Sequence, residues 1–142
     1  MSTNTTVTDL VRHSLRLLLD KRTADWADLW ADDSVLEFPF APEGWPERLE
    51  GRAAISEYMR HYPDHIDLHD FPEIRIHQTT DPETAVVEMR AEGRLVQADA
   101  PFDMSYIAVM TARDGSFMVG RDYWNPLGVQ QPGADFTRSG GR

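Results

Sequence analysis

The spacing of apolar residues changes once along the chain, and this change limits the folds that the chain can adopt. Up to about residue 62, apolar side chains mostly recur every three to four residues, which is typical of helices with one buried face. Beyond about residue 65 they alternate with polar side chains, which is typical of strands in a sheet. Helices followed by a run of strands indicate an α+β domain with helices packed on an antiparallel sheet.

Turn and cap residues place the predicted elements. Three N-terminal helices are predicted: residues 7–21 after a cap at Thr6 or Thr8, residues 26–33 after a cap at Asp25, and residues 52–62 before Pro63. Five strands are predicted, at residues 34–40, 65–79, 84–96, 100–112 and 117–126, with an Asp-Gly hairpin turn before the last. A curved sheet around three helices would leave a cavity at its open end, which is the usual site for a small molecule.

Composition narrows the class of protein. A chain of 142 residues fits one domain, which we expect at residues 1–128, followed by a disordered Gly-rich tail at 129–142. The chain has no cysteine, which excludes disulfide and thiolate chemistry. Its net charge of −10 disfavours nucleic acid and anionic membrane partners. No apolar run approaches the roughly 18–20 residues that span a bilayer, and the N-terminus does not resemble a secretory signal, so we expect a cytoplasmic protein.

The last predicted strand contains an acid among large side chains. Strand alternation puts Met118, Gly120, Asp122 and Trp124 on one face, and that mixture is typical of a pocket lining. Burial there would raise the pKa of Asp122 and allow it to move protons near neutral pH. The alternative is a surface acid paired with a nearby arginine.

Two other charged groups allow two interpretations each. Asp103 shares a strand face with Ser105 and apolar residues, so it is either a pocket acid or an exposed residue at the strand mouth. Arg90 and Glu92 lie on a charged face that we expect to be solvated. If that face points inward instead, the two form an ion pair able to orient Asp122.

Aromatic and histidine residues complete the candidates. Trp26, Trp30 and Phe38 are predicted to form the wall of an apolar substrate site. Tyr58 or His61 could donate a hydrogen bond into the cavity from the third helix. Histidines recur every four residues from His61 to His69, but Pro63 interrupts the helix that would align them. We therefore expect no metal and no cofactor.

Four segments of the chain resemble a known superfamily: WADLWADDSVLEFPF, LEGRAAISEYM, APFDMSYIAVM and DGSFMVGRDYWNP. Together they are similar to the nuclear transport factor 2-like superfamily, and within it to the SnoaL-like and ketosteroid-isomerase-like branch. The resemblance covers about residues 7–127. It implies a cone-shaped fold of the cystatin-like type, in which a curved antiparallel sheet wraps around the helices. Isomerases, cyclases, epoxide hydrolases, dehydratases and non-enzymes share this fold.

The resemblance also implies roles for single residues. Steroid isomerases have an Asp at the position of Phe38 and a Tyr at that of Ser14; only their second donor acid is matched, by Asp103. Polyketide cyclases and phenazine-biosynthesis proteins have a general acid/base at the position of Asp122, although the phenazine proteins have a His at that of Tyr58. Limonene-type epoxide hydrolases combine such an acid with an Arg-x-Asp, to which Arg90 and Glu92 correspond.

These features lead to one principal hypothesis and two alternatives. The first is a cofactor-free isomerase, cyclase or dehydratase that acts by acid–base catalysis on a hydrophobic cyclic or polyketide-like metabolite. Asp122 is its expected acid/base, and Asp103, Arg90, Glu92, Tyr58 and His61 are its expected helpers. The expected substrate contacts are Trp124, Phe38, Trp26, Trp30, Met118 and Ser105. The alternatives are an epoxide hydrolase and a non-catalytic ligand-binding module; a homodimer is implied by the resemblance alone.

Overall fold

The helices lie in the first half of the part of the chain that the computed structural model describes, residues 5–125. They are α1 (Val7–Leu19), α2 (Thr23–Ala27), α3 (Arg52–Arg60) and α4 (Tyr62–His65). Thr6 is the N-cap of α1, because its hydroxyl oxygen accepts a hydrogen bond from the Asp9 backbone N–H at 3.1 Å. None of these helices is long and apolar enough to cross a membrane. The predicted tail at 129–142 lies outside the described residues.

Six strands form one curved, open sheet in the described residues. They are β1 (Trp30–Glu37), β2 (Arg48–Glu50), β3 (Ile66–Gln78), β4 (Thr84–Leu95), β5 (Ala100–Arg113) and β6 (Ser116–Trp124). Their order across the sheet is β2-β1-β6-β5-β4-β3. Neighbouring strands are antiparallel, except that β1 and β6 run parallel. The predicted α+β class with helices packed on a curved sheet is confirmed, and the parallel pair is the one departure from an antiparallel sheet.

The start of β1 differs from the prediction. Helical spacing of Trp26 and Trp30 predicted a helix through residue 33, but α2 ends at Ala27 and Trp30 is the first residue of β1. Trp30 pairs with Phe117 of β6. This contact, which is distant in sequence, holds the backbone extended, and local spacing carries no information about it. Asp25 is not the cap either, because it lies within the first turn of α2.

The third helix ends as its proline predicted, and a short fourth helix follows. α3 stops at Arg60, and Pro63 occupies the first turn of α4. A proline is tolerated there because the first backbone N–H groups of a helix have no partner within it. The strand β2, three residues long, was not predicted because it lies in a turn-rich segment and pairs only with β1.

The sheet has an apolar inner face and a charged outer face. On β4 and β5, the inner face carries buried side chains that pack towards the helices: Ala85, Val87, Ala91, Phe102, Met104, Ala108 and Ala112. The outer face of the same two strands carries exposed residues that include Glu88, Asp103, Ser105 and Ile107. Burial of the inner face against α1, α2 and α3 is the main favourable contribution to folding, since apolar area leaves water.

A β-bulge on β6 decides which of its side chains point inward. One extra residue, Met118, lies between these two pairs of the β5–β6 register: Ala112–Phe117 and Thr111–Val119. An extra residue reverses strand alternation. Phe117 before the bulge is therefore fully buried, and Gly120, Asp122 and Trp124 beyond it also face the helices. The prediction that Met118 shares the face of Asp122 is wrong for this reason.

Candidate active site

An apolar cavity of about 170 Å³ lies between the helices and the inner face of the sheet. Its aromatic lining comprises Trp26, Trp30, Phe38, Trp45, Tyr58, Tyr62, Phe71, Tyr106 and Trp124. Aliphatic and sulfur-containing side chains form most of the rest, among them Leu15, Leu36, Met59, Val87, Met89 and Met110. Helices α1–α4 and strands β1 and β3–β6 all contribute, so the cavity exists only when the whole domain is folded.

Asp122 carries the only charge among the described residues that line this cavity. It is on β6, opposite Ala108 of β5, and its Oδ1 atom is buried without a hydrogen-bond partner in the described part of the chain. Loss of hydration disfavours a carboxylate, so burial raises the pKa of Asp122 from 3.8 to about 7. Asp122 can therefore both accept and donate a proton at neutral pH.

Three tyrosines line the same cavity as this carboxyl group. Tyr58 is on α3, Tyr62 begins α4, and Tyr106 is a diagonal neighbour of Asp122 across the β5–β6 pair. Burial raises the pKa of Tyr58 to about 12, and the nearby charge of Asp122 contributes. Burial and the same charge raise the pKa of Tyr62 and Tyr106 as well. All three phenols therefore stay protonated near neutrality and can only donate or accept hydrogen bonds.

All four tryptophans of the chain line the cavity. Trp30 is almost fully buried and contacts both Trp26 and Phe117, with ring centroids 5.5 and 5.1 Å apart. Trp45, from the segment between β1 and β2, packs on Trp124 with centroids 5.5 Å apart. The aromatic walls offer a flat, weakly polar surface to a ring-shaped ligand.

Residues 11–118 match the family model of the SnoaL-like domain. The match spans most of the chain, including every element from the interior of α1 to the bulge of β6. The chain belongs to the SnoaL-like domain family. This confirms the resemblance inferred from its sequence segments.

Relatives of this SnoaL-like chain span nearly its whole length. YesE of Bacillus subtilis, an uncharacterised protein, is 38% identical over 123 residues, which cover 87% of this chain and 84% of YesE. An uncharacterised PhzA/B-like protein of Pseudomonas aeruginosa is 39% identical over 119 residues, 84% of each chain. A solved structure of a candidate isomerase from B. subtilis has a TM-score of 0.84 and 38% identity, covering 87% of this chain and 89% of that one.

The structure brings together six of the predicted site residues. The cavity that contains Asp122 is also lined by five side chains that were predicted to contact substrate or to take part in catalysis: Trp26, Trp30, Phe38, Tyr58 and Trp124. Phe38 and Tyr58 also contact each other, with ring centroids 5.5 Å apart. Their placement agrees with a cavity wall; the roles assigned to them remain predictions.

Arg90, Glu92 and Asp103 do not reach the cavity of this SnoaL-like domain. They lie on the outer face of the sheet, where the Arg90 guanidinium binds Glu92 at 2.6 Å and Asp103 at 3.0 Å. The two carboxylates hold the pKa of Arg90 above its usual value. Strand pairing across β4 and β5 puts the three together because they occupy adjacent positions on one face. The expectation that the Arg90–Glu92 face is solvated agrees with the structure, whereas Asp103 as a pocket acid is wrong.

Three further predicted site residues also lie elsewhere. His61 ends α3 at the surface, and its ring binds Glu57 at 3.1 Å. Ser105 is exposed because it alternates with inward-facing neighbours on β5. Met118 is the bulge residue and does not line the cavity. Among residues 5–125, no group of three or more His, Asp or Glu side chains could hold a metal ion.

Sequence reasoning missed Tyr62, Tyr106 and Trp45. Alternation along β5 could have found Tyr106, since it shares parity with Phe102, Met104 and Ala108. Helical spacing predicts Tyr62 on the same face as Tyr58, four residues earlier, but this face was not connected with the site. Trp45 lies in a turn-rich segment whose position depends on its contact with Trp124, so its sequence neighbourhood contains no signal for the site.

Proposed function

We propose that this protein is an enzyme that moves a proton at a carbon next to a carbonyl group, as in isomerisation or cyclisation, with Asp122 as the acid/base. One observation carries the proposal: the one carboxyl group among the described residues that line this apolar, aromatic cavity has a buried Oδ1 atom to which none of those residues donates a hydrogen bond. A carboxyl kept only for structure would be paired or exposed to water. The similarity of this chain to a candidate isomerase from B. subtilis supports the same class of reaction.

The pKa of Asp122 suits this chemistry. A general acid/base works best when its pKa lies near the working pH, because both protonation states are then populated. The carboxylate removes a proton from the carbon, and the electron pair of that C–H bond moves towards the carbonyl oxygen to form an enolate. The same carboxyl then returns the proton to a different carbon; in a cyclisation, the enolate carbon instead attacks a second carbonyl carbon of the substrate, whose π electrons move to its oxygen, and the carboxyl returns the proton to that oxygen. Neither course consumes an oxidant or a reductant.

The tyrosines would stabilise the enolate oxygen. Tyr58, Tyr62 and Tyr106 line the same cavity as Asp122, and its charge contributes to the raised pKa of each. A phenol that donates to a developing oxyanion in an apolar site lowers the barrier much more than it does in water. Epoxide hydrolysis has less support, because Arg90 and Glu92, its expected partners for the acid, lie outside the cavity.

Exchange of carbon-bound hydrogen tests the proposal without knowledge of the natural substrate. Cyclohexanone is incubated with the protein in deuterated buffer, and loss of its α-proton signals is followed by NMR. We expect exchange above the buffer rate, increasing with pH through about 7 as Asp122 ionises. Asp122→Asn should reduce the catalysed rate by about 10²–10⁴-fold.

Asp103→Asn is the matched control, since it removes a carboxylate on the outer face of the sheet. It should exchange at the rate of the unmodified protein. Equal exchange by the Asp122→Asn and unmodified proteins would contradict the assignment of Asp122. Binding of ketones without exchange would instead indicate a ligand-binding module.

A further inference from the structure

The charge of the cavity restricts the ligands that it can hold. Within the described residues, its lining contains one acid and no lysine, arginine or histidine. A carboxylate or phosphate placed there would meet Asp122 without any counter-ion, in a site that already disfavours a single negative charge. Like charges at short range in an apolar environment are strongly unfavourable. The enclosed part of the ligand is therefore not an anion.

The size of the cavity restricts the ligand further. Its volume of about 170 Å³ is similar to that of an engineered protein cavity of about 150 Å³ that binds benzene. One ring with short substituents fits such a space. A fused system of three or four rings does not fit unless the lining moves apart, and interiors packed at crystal density resist that movement.

The proton transfer proposed above conserves charge within the cavity. Before the reaction, Asp122 carries one negative charge and the substrate none. After the first transfer, the carboxyl is neutral and the enolate oxygen carries the charge. A neutral substrate therefore keeps the cavity at one negative charge throughout, whereas an anionic substrate would bring it to two.

The tyrosine group, Tyr58, Tyr62 and Tyr106, supplies the polar contact for such a substrate. Its members come from α3, α4 and β5 and line the same cavity as Asp122. They donate to a carbonyl oxygen without adding charge, and they remain protonated at neutral pH. A hydrocarbon lacking an acceptor would not use them.

We propose that the substrate is an uncharged carbonyl compound with a single substituted ring in the cavity, and that Tyr62 and Tyr106 bind its oxygen. The charge of Asp122 excludes carboxylates, and the volume of the cavity excludes fused-ring compounds. This inference rests on the proposed function for the role of the carbonyl. It narrows the substrate class of that function by charge and by size.

Binding of a matched set of ligands tests the inference. The unmodified protein at about pH 8, where Asp122 is ionised, is titrated with cyclohexanone, cyclohexanecarboxylate, the methyl ester of that acid, and fluorenone. The change in tryptophan fluorescence reports occupancy, because all four tryptophans line the cavity; calorimetry provides a second readout. We expect the ester to bind at least about tenfold more tightly than the carboxylate, a difference of about one decade in Kd. Fluorenone should bind more weakly than cyclohexanone.

Two kinds of variant separate charge from hydrogen bonding. Asp122→Asn should retain cyclohexanone binding and bind cyclohexanecarboxylate several-fold more tightly than the unmodified protein does. Tyr62→Phe and Tyr106→Phe should each weaken cyclohexanone binding several-fold and leave the binding of toluene, which has no acceptor, unchanged. Equal binding of ester and carboxylate, or tighter binding of fluorenone than of cyclohexanone, would overturn the inference.

The inference and the proposed function fail in different ways. If neutral one-ring ketones bind selectively but no proton exchange occurs, the ligand class stands and the catalytic proposal fails. If exchange occurs but anions bind as tightly as their esters, the catalytic proposal stands and the ligand class is wrong.

Discussion

Asp122 lies in surroundings that disfavour its ionised form. Its carboxyl group has lost water on folding and has gained no hydrogen bond at Oδ1 from the described residues. Burial of a polar group in this way costs free energy that the rest of the fold must offset. Asp122 therefore lowers the stability of the fold, and the size of this effect depends on pH.

The stability difference between Asp122→Asn and the unmodified protein should change with pH. The pKa of Asp122 is 3.8 ordinarily and about 7 in the folded protein. The folded state thus binds the proton more tightly than the unfolded state does, so the contribution of Asp122 is most favourable below about pH 4 and is lost as pH rises to about 7. Across that range, the free energy of unfolding of the Asn variant should gain on the order of 4 kcal/mol relative to the unmodified protein.

Urea unfolding at several pH values, followed by circular dichroism, measures this difference. Asp103→Asn, at an exposed position beside Arg90, should show no comparable gain between about pH 5 and pH 7. Parallel stability curves for the unmodified and Asp122→Asn proteins would show that the carboxyl is hydrated in the folded state.

At the scale of the elements, the bulge on β6 connects core packing with the candidate site. Phe117, on one side of Met118, is fully buried and contacts Trp30. Asp122 and Trp124, on the other side, line the cavity. Regular alternation cannot direct all three side chains inward, because Phe117 differs in parity from the other two. The extra residue resolves this conflict.

Deletion of Met118 should therefore lower the stability of the protein far more than its truncation to alanine. Without the extra residue, either Phe117 leaves the core or Asp122 and Trp124 turn outward. We expect the deletion to lower the free energy of unfolding by about 3 kcal/mol or more, as loss of a buried Phe does, whereas Met118→Ala should cost less than about 1.5 kcal/mol because Met118 lies outside the cavity. Urea unfolding measures both values. A stable deletion variant that retains ligand-induced fluorescence changes would show that the bulge is dispensable.

Elements that depend on local spacing were predicted well, whereas those that depend on distant contacts were not. Pro63 and the Thr6 cap define helix ends from a few neighbouring residues, and Asp114 and Gly115 adopt the positive φ values that their hairpin turn requires. The start of β1 at Trp30 and the bulge at Met118 both depend on pairing between distant segments. The same distinction explains the site. The position of Asp122 in a pocket was predicted from its strand and from family resemblance, and Asp122 lines the cavity. Asp103 was left with two interpretations because alternation gives two faces without saying which is inside.

At the scale of the whole molecule, the cavity is space that the core leaves unfilled. Proteins commonly lose some stability to keep a functional site open, and filling that space reverses the loss. Ala108 is suited to such a test, since it lies opposite Asp122 and lines the cavity.

Ala108→Leu should stabilise the protein and abolish ligand binding. The larger side chain buries additional apolar area inside the cavity, which is worth on the order of 1–2 kcal/mol if no strain results. Thermal unfolding should show a higher Tm, and cyclohexanone should no longer change tryptophan fluorescence. Ala31→Leu, on β1 and outside the cavity lining, serves as the control for binding. Retained ligand binding by Ala108→Leu would place the site elsewhere.

The parallel pairing of β1 with β6 has a consequence for biosynthesis. β1 leaves the ribosome before the other described strands, yet its partner β6 is the last of those strands. Until that strand has been synthesised, Trp30 and Leu36 cannot bury their side chains against it, and pairing so distant in sequence forms slowly. Nascent chains therefore expose these apolar side chains until β6 has been synthesised, and unpaired strands are prone to aggregate during that time. Yield in cells should depend on chaperones that shield the segment around β1, even though the finished domain encloses it.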